Sequence, residues 1–435
     1  MKYHSWYMNN FKQIKQLNYL SEKEIHEIEV VSHIFPFKAN NYLTDELIDW
    51  DHYQTDPVFN MVFPQRQMLE DNDYNELDNA ICNGNQTLIK RIVSDIRQKL
   101  NPHPDGQIQN IPEVNRIKLF GSQHKYPETI LFFPSQGQTC HAYCTFCFRW
   151  AQFCGHNSFR FAMNEIDNLK TYILQHPQIT DILFTGGDPM TMSYDFLALY
   201  LDALLDSEMS QIKSIRIGTK SLSYWPYRYL SDRDTDYILR LFDKIVKSGI
   251  NLSIMAHFNH YQELSTEAVK NAIQRIRNTG AQIRTQSPLL KHINDDSEVW
   301  ARMWREQVNL NCIPYYMFIA RDTGSRHYFE VSLEKAWHIF KNAYNQVSGL
   351  CRTVRGPSMS TRFGKIQVLG VAEVQNEKVF VLRFLQSKNP EFVQIPFFAE
   401  YNENATWIDD LKPAFGKEKF FFELDHTELK YDESY

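Results

Sequence analysis

The chain has 435 residues, 43% of them hydrophobic and 14% aromatic, with 46 basic against 52 acidic side chains and a formal net charge of -6. This composition supports one large domain with extensions or two to three domains, so disorder is not the default reading, and the lack of a basic bias argues against nucleic acid as the main partner. No run of about 18 apolar residues occurs, and MKYHSWYMNNFKQIKQ lacks the apolar centre of a secretory signal, so a cytoplasmic protein with no membrane partner is expected.

In chain order, residues 1–115 read as a helical amino-terminal extension. SEKEIHEIEVVSHIF and NDYNELDNAICN carry helical periodicity, with the aromatic piece DHYQTDPVFNMVFPQ between them. NPHPDGQIQNIPEVN, residues 101–115, has the composition of a connector. From about residue 127 short β-rich runs alternate with amphipathic stretches. The runs are ETILFF (128–133), DILFTG (181–186), SIRIG (214–218), LSIMAH (252–257), QIRTQS (282–287) and IPYYMFIA (313–320). Between them lie patterns such as EIDNLKTYILQH, YILRLFDKIVKSG and EAVKNAIQRIRNTG, the last two ending on the glycine of a helix stop. Alternation over residues 116–345 implies parallel β/α units, and six strands predict an α/β fold built as a partial (β/α)6 barrel. TGGD, IGTK, HFNH and TQSP fall where strands run into loops, the end at which such barrels carry chemistry. Residues 346–435, with a glycine-lysine segment, the strand-like KVFVLRFLQ and a polar aromatic tail, read as a carboxy-terminal α+β segment.

Three of the seven cysteines crowd into TCHAYCTFCFRW as Cys140, Cys144 and Cys147, which suits a metal site in a reducing compartment better than disulfides. Iron–sulfur clusters take thiolates, and these short spacings let one loop wrap a [4Fe–4S] cube. Three ligands leave one iron open to chelate S-adenosylmethionine (SAM), whose reductive cleavage yields a 5′-deoxyadenosyl radical. A zinc site is the competing reading, with His141 or Cys154 as fourth ligand. A simple electron carrier would need a fourth cysteine at ferredoxin-like spacing, which is absent.

KYPETILFF, CHAYCTFCFR, LFTGGDP, RIGTK, AHFNH, TQSPLL, IPYYMF and FGKIQVLG follow one another from about Tyr126 to Gly370. In this order they resemble the lysine 2,3-aminomutase family of the radical SAM superfamily. The resemblance implies a partial barrel, a [4Fe–4S] cluster on Cys140, Cys144 and Cys147, SAM and pyridoxal 5′-phosphate (PLP). It implies an isomerase that moves an amino group between Cα and Cβ of an amino acid through a PLP aldimine, with a reductant such as flavodoxin or ferredoxin as partner. Thr185, Gly186, Gly187 and Asp188 match the segment that meets the SAM amino group, and Arg216, His257 and Gln286 match positions near the same cofactor. Lys365 matches the PLP lysine, although the glycine run before it is replaced by Ser360, Thr361, Arg362 and Phe363. Arg149 matches the arginine that grips the substrate carboxylate, a task suited to two parallel donors. Lys125 stands at a phosphate-binding arginine, and Thr129 replaces a second.

Two aspartates hold the remote ammonium of lysine in the family. Ungapped counting puts the first on Arg321, beside Asp322, and the second on Ser358. An arginine there would repel lysine and attract an acidic side chain, so an anionic amino acid such as glutamate is expected. A one-residue slip would instead bring Asp322 into the pocket. No cysteine follows Cys351, so the family's carboxy-terminal zinc is not expected, and the oligomeric state is left open. The competing functions are a PLP-independent radical SAM enzyme and a noncatalytic iron–sulfur redox protein.

Overall fold

A computed structural model describes residues 1–102, 110–154 and 162–423. Part of the connector expected at 101–115, and the end of the tail, lie outside the described residues.

One eleven-stranded sheet organises the chain. Its strands are β1 (Ser122–Tyr126), β2 (Thr129–Phe132), β3 (Asp181–Phe184), β4 (Ser214–Thr219), β5 (Asn251–His257), β6 (Gln282–Leu289), β7 (Ile313–Ile319), β8 (Arg355–Ser360), β9 (Gly364–Val374), β10 (Glu377–Ser387) and β11 (Pro396–Glu400). Strands β2 to β8 run parallel in sequence order, while β1 and β9 to β11 pair antiparallel at the two edges. Helices Ile166–Gln175, Tyr194–Asp202, Thr235–Lys247, Glu267–Arg277, Ser297–Asn309 and Leu333–Asn345 follow β2 to β7 in turn. The six β/α units expected from the sequence are therefore present, and the fold is mixed α/β with a mostly parallel sheet. The two glycine stops hold as well, with Gly249 at φ 88° and Gly280 at φ 84° just past their helices.

A seventh parallel strand, β8, corrects the count of six. Its sequence, RGPSMS, has a Gly-Pro pair and no β-branched residue, so it carries no strand signal. The carboxy-terminal strands are also continuous with the barrel sheet rather than set apart from it. β9 and β10 form a long hairpin across Gln375 and Asn376, both at positive φ, as a two-residue hairpin turn demands. TQSP, expected at a strand end, lies inside β6, which continues to Leu289.

Along β4 burial alternates, with Ile215, Ile217 and Thr219 buried and Ser214, Arg216 and Gly218 part-exposed. The apolar set packs under the helices, and the polar set faces the concave side of the curled sheet. The sheet edges approach each other there, because β1 touches β10. The lumen is thus lined by polar side chains, unlike the branched apolar layers that fill a closed barrel. No helix among the described residues is long and apolar enough to cross a membrane.

The amino-terminal extension is built from helices Glu22–Ser32, Pro57–Val62, Asp71–Cys82 and Gln86–Lys99, with a short ladder between Ser5–Tyr7 and Lys38–Asn40. Ser21 opens the first helix with a capping box closed by Glu24. This extension packs on the barrel mouth, where the cysteine loop sits.

Candidate active site

Cys140, Cys144 and Cys147 lie on a loop with little regular structure after β2, so its shape depends on outside contacts. The extension supplies them. Tyr3 Oη donates to the His141 carbonyl at 2.7 Å, and Asn40 Nδ2 bridges the carbonyls of His141 (3.2 Å) and Tyr224 (2.9 Å). Lys38 Nζ donates to the Cys140 carbonyl at 2.6 Å, while its own carbonyl accepts from Tyr143 N. Thr145 bonds Asn60 and Met61 through its hydroxyl and its amide. The Cys144 Sγ lies 3.4 Å from the Tyr224 hydroxyl. Burial pushes the Cys144 thiol up to about 12 and raises Cys140 and Cys147 too.

Thr185, Gly186, Gly187 and Asp188 follow β3 and lie against the start of the cysteine loop. A Cβ on Gly186 would meet Gln138 Nε2 at 2.4 Å, and one on Gly187 would meet the Thr139 carbonyl oxygen at 2.4 Å. The two glycines thus admit the Gln138 side chain and the Thr139 backbone. The Asp188 amide donates to the Thr139 carbonyl, and its buried carboxylate accepts from Thr219 Oγ1, Met190 N and Lys220 N. Burial raises Asp188 to about 6 despite those donors. Through its amide and its carboxylate together, Asp188 ties its own loop to the Thr139 and Thr219–Lys220 segments.

His257 and Gln286 end up side by side, with the Gln286 amide donating to His257 Nε2 at 2.6 Å. Burial, then the Lys220 ammonium, lowers His257 to about 3, so the ring is neutral in any ordinary buffer. Lys220 is held by buried Glu263 and sits 4.4 Å above the Tyr224 ring.

Arg216 reaches along the lumen to Asp181, which also accepts from Thr129 Oγ1 (2.8 Å) and Ser214 Oγ (2.6 Å). Lys365, the second residue of β9, points into the same space. Its Nζ donates to Gln386 Oε1 at 2.9 Å and lies 4.5 Å from the Tyr316 ring centre and 5.8 Å from that of Tyr126. Burial, reinforced by Arg216, Arg355 and Lys125, lowers Lys365 to about 7. Lys125 donates to the Thr361 carbonyl and is lowered to about 7 by burial and then by Arg321. The Tyr126 hydroxyl, in the same wall, is buried with no hydrogen-bond partner among the described residues.

Arg149 joins this lumen to the cysteine loop. Its guanidinium lies 4.3 Å from the Phe133 ring centre, and its buried Nη1 has no hydrogen-bond partner among the described residues. Burial lowers it to about 10, opposed by the Cys147 thiol. Arg321 extends beside the Phe148 ring at 5.4 Å, with Asp322 next to it. Ser358 is fully buried in β8 and donates to the Met317 carbonyl at 3.3 Å. The structure thus gathers Cys140, Cys144, Cys147, Arg149, Arg321, Lys125, Arg216 and Lys365 around one lumen. Lysines and arginines outnumber the carboxylates there, an arrangement that attracts anions.

A protein of Aquifex aeolicus (strain VF5) named "Putative L-lysine 2,3-aminomutase" is 31% identical over 398 residues, covering 91% of this chain and 93% of that protein. The chain belongs to the lysine 2,3-aminomutase family of radical SAM proteins. Family members with two different substrates in their names are equally distant. The L-lysine 2,3-aminomutase of Clostridium subterminale is 28% identical over 231 residues, 53% of this chain and 52% of that protein. The glutamate 2,3-aminomutase of Clostridioides difficile (strain 630) is 28% identical over 229 residues, 52% of this chain and 50% of that protein. A crystal structure of a radical SAM methyltransferase from Sphaerobacter thermophilus overlaps 55% of this chain and 68% of that chain, with 13% identity and a TM-score of 0.37. No family model matches the chain.

Several side chains at the site escaped sequence reasoning. Tyr224, Arg355, Gln386, Asp181 and the pinning residues Tyr3, Lys38 and Asn40 are brought in from distant segments, so local spacing carries no signal for them. Tyr126 had one, since it stands inside KYPETILFF.

Proposed function

We propose that this chain is a radical SAM 2,3-aminomutase acting on an anionic amino acid. The observation that carries the reading is the unpartnered Nη1 of buried Arg149, set among cations that reach to Lys365. A buried guanidinium atom without an acceptor costs about 1–3 kcal/mol or more, which a bound carboxylate removes. A second acidic group on the substrate would meet Arg321.

The residues fit the family's cofactors. Three thiols on one loop, braced by a separate layer of the molecule, make a donor set for a cluster with one open iron. They also stand apart as ligands of one ion, because among the described residues no group of three donor atoms within 4.8 Å of one another includes them. The unpartnered Tyr126 hydroxyl, Lys125 and Arg216 offer donors to a phosphate or phenolate beside Lys365. When bound, SAM on the cluster supplies a hydrogen-abstracting carbon radical, and PLP supplies the carbonyl that takes up the migrating nitrogen. Lys365, lowered to about 7, has about half of its amine neutral and nucleophilic at pH 7. Arg149 orients the substrate carboxylate, and the neutral His257–Gln286 pair offers hydrogen bonds without adding charge. The His26, Asp78 and Cys82 group lies outside this site.

Anaerobic reconstitution with iron, sulfide, SAM and PLP tests the reading. Reductant-dependent 5′-deoxyadenosine and β-glutamate from glutamate are expected. Radical formation unaffected by PLP and by Lys365→Ala would instead favour a PLP-independent enzyme, and absence of 5′-deoxyadenosine would leave only a redox protein.

A further inference from the structure

A cluster of metal-ligating side chains lies outside the barrel, in the amino-terminal extension. His26 comes from helix Glu22–Ser32, and Asp78 and Cys82 from helix Asp71–Cys82. Asp78 and Cys82 are four residues apart, so one helical face presents both, and the facing helix brings His26 onto them. His26 Nε2 lies 2.7 Å from Asp78 Oδ1, and Cys82 Sγ lies 3.7 Å from the same oxygen. The three donor atoms all fall within 4.8 Å of one another, the only such group among the described residues.

We propose that His26, Asp78 and Cys82 bind a divalent zinc-type ion that staples these two helices. The donor set is one imidazole nitrogen, one carboxylate oxygen and one thiolate, which suits zinc and does not suit magnesium or calcium. Tetrahedral zinc with bonds of about 2.0–2.3 Å holds its ligands about 3.3–3.8 Å apart. The Cys82–Asp78 separation already matches, and the His26–Asp78 contact needs to open by about 0.6 Å, within reach of a side-chain rotation. Side chains of His26 and Asp78 keep 40% and 31% of their exposure and Cys82 is exposed, so an ion reaches them from solvent and water completes its shell. Binding replaces the Cys82 thiol proton, which leaves to solvent, and ligates His26 through its neutral ring, so affinity rises with pH. The ion would tie together the layer that holds the cysteine loop through Asn60 and Met61.

Full-length protein with its iron–sulfur loop loaded, so that Cys140, Cys144 and Cys147 are occupied, is dialysed against zinc and assayed for metal. One zinc per chain is expected in the wild type, at least tenfold weaker retention in Cys82→Ser and Asp78→Asn, and a zinc-dependent rise in melting temperature in the wild type alone. Zinc K-edge absorption then shows one sulfur neighbour near 2.3 Å with nitrogen or oxygen neighbours near 2.0 Å. Equal zinc content in wild type, Cys82→Ser and Asp78→Asn, or no zinc in the wild type, overturns the proposal. The two variant positions lie on helix Asp71–Cys82 of the extension, outside the strands that line the lumen, so this result is independent of the proposed catalytic function.

Discussion

Lys365 illustrates how much one residue owes to its surroundings. In the sequence it is a lysine after a glycine, a pattern usually found on the surface. In the fold it shares a lumen with Arg216, Arg355 and Lys125, and burial there lowers it to about 7. Capture of PLP, followed by absorbance and borohydride trapping, should therefore fall about tenfold per pH unit below about 7 and vanish in Lys365→Ala. The unfolded chain, with lysine near 10.4, binds the proton that the folded chain lacks between those two values. Stability of the cofactor-free protein accordingly rises with pH across that window, and Lys365→Met flattens that share of the slope in urea titrations. Tyr224 is one of the residues that spacing gave no means of finding. The Cys144 thiol donates to its hydroxyl, and with Cys144 as the proposed cluster thiolate the hydroxyl would donate instead, which would favour the more negative, reduced cluster. Tyr224→Phe should lower the cluster potential by on the order of 40 mV, the equivalent of about 1 kcal/mol, in a redox titration followed by electron paramagnetic resonance. An unchanged potential would remove Tyr224 from that role.

Among the elements, the strands carried their signatures openly. DILF, SIRIGT and NLSIMAH alternate or run apolar and are closed by glycine or polar residues, so six of the seven parallel strands were legible. RGPSMS was not, because its backbone is held by its neighbours rather than by its own propensity. The amino-terminal extension was legible as helices but not in its purpose, since a contact such as Asn40 with His141 depends on residues 101 positions apart. The cysteine loop has no strand or helix of its own and takes its shape from that contact. Asn40→Ala removes two buried donors and should destabilise the protein by about 1–3 kcal/mol in urea denaturation. It should also hasten cluster loss on dilution. Gly187→Ala forces a Cβ into the Thr139 carbonyl at 2.4 Å and should prevent stable cluster loading even where the chain folds.

At the scale of the whole molecule, charge is distributed against the average. The chain is net negative at -6, yet its lumen gathers Lys125, Arg149, Arg216, Arg321, Arg355 and Lys365. Composition alone hides this, because these six side chains are a small share of the 46 basic residues in the chain. A cationic lumen attracts anionic substrates and repels a lysine side chain. Arg321→Asp should weaken use of glutamate at least tenfold and improve use of lysine, as read by competition between the two amino acids. Equal identity to lysine and glutamate enzymes leaves that choice to the pocket.

The most direct test is label transfer in the reconstituted enzyme with SAM, PLP and glutamate deuterated at Cβ. Deuterium is expected in 5′-deoxyadenosine and in β-glutamate, with both lost in Lys365→Ala. Faster label transfer from lysine than from glutamate, or labelled 5′-deoxyadenosine without any β-amino acid, would contradict it.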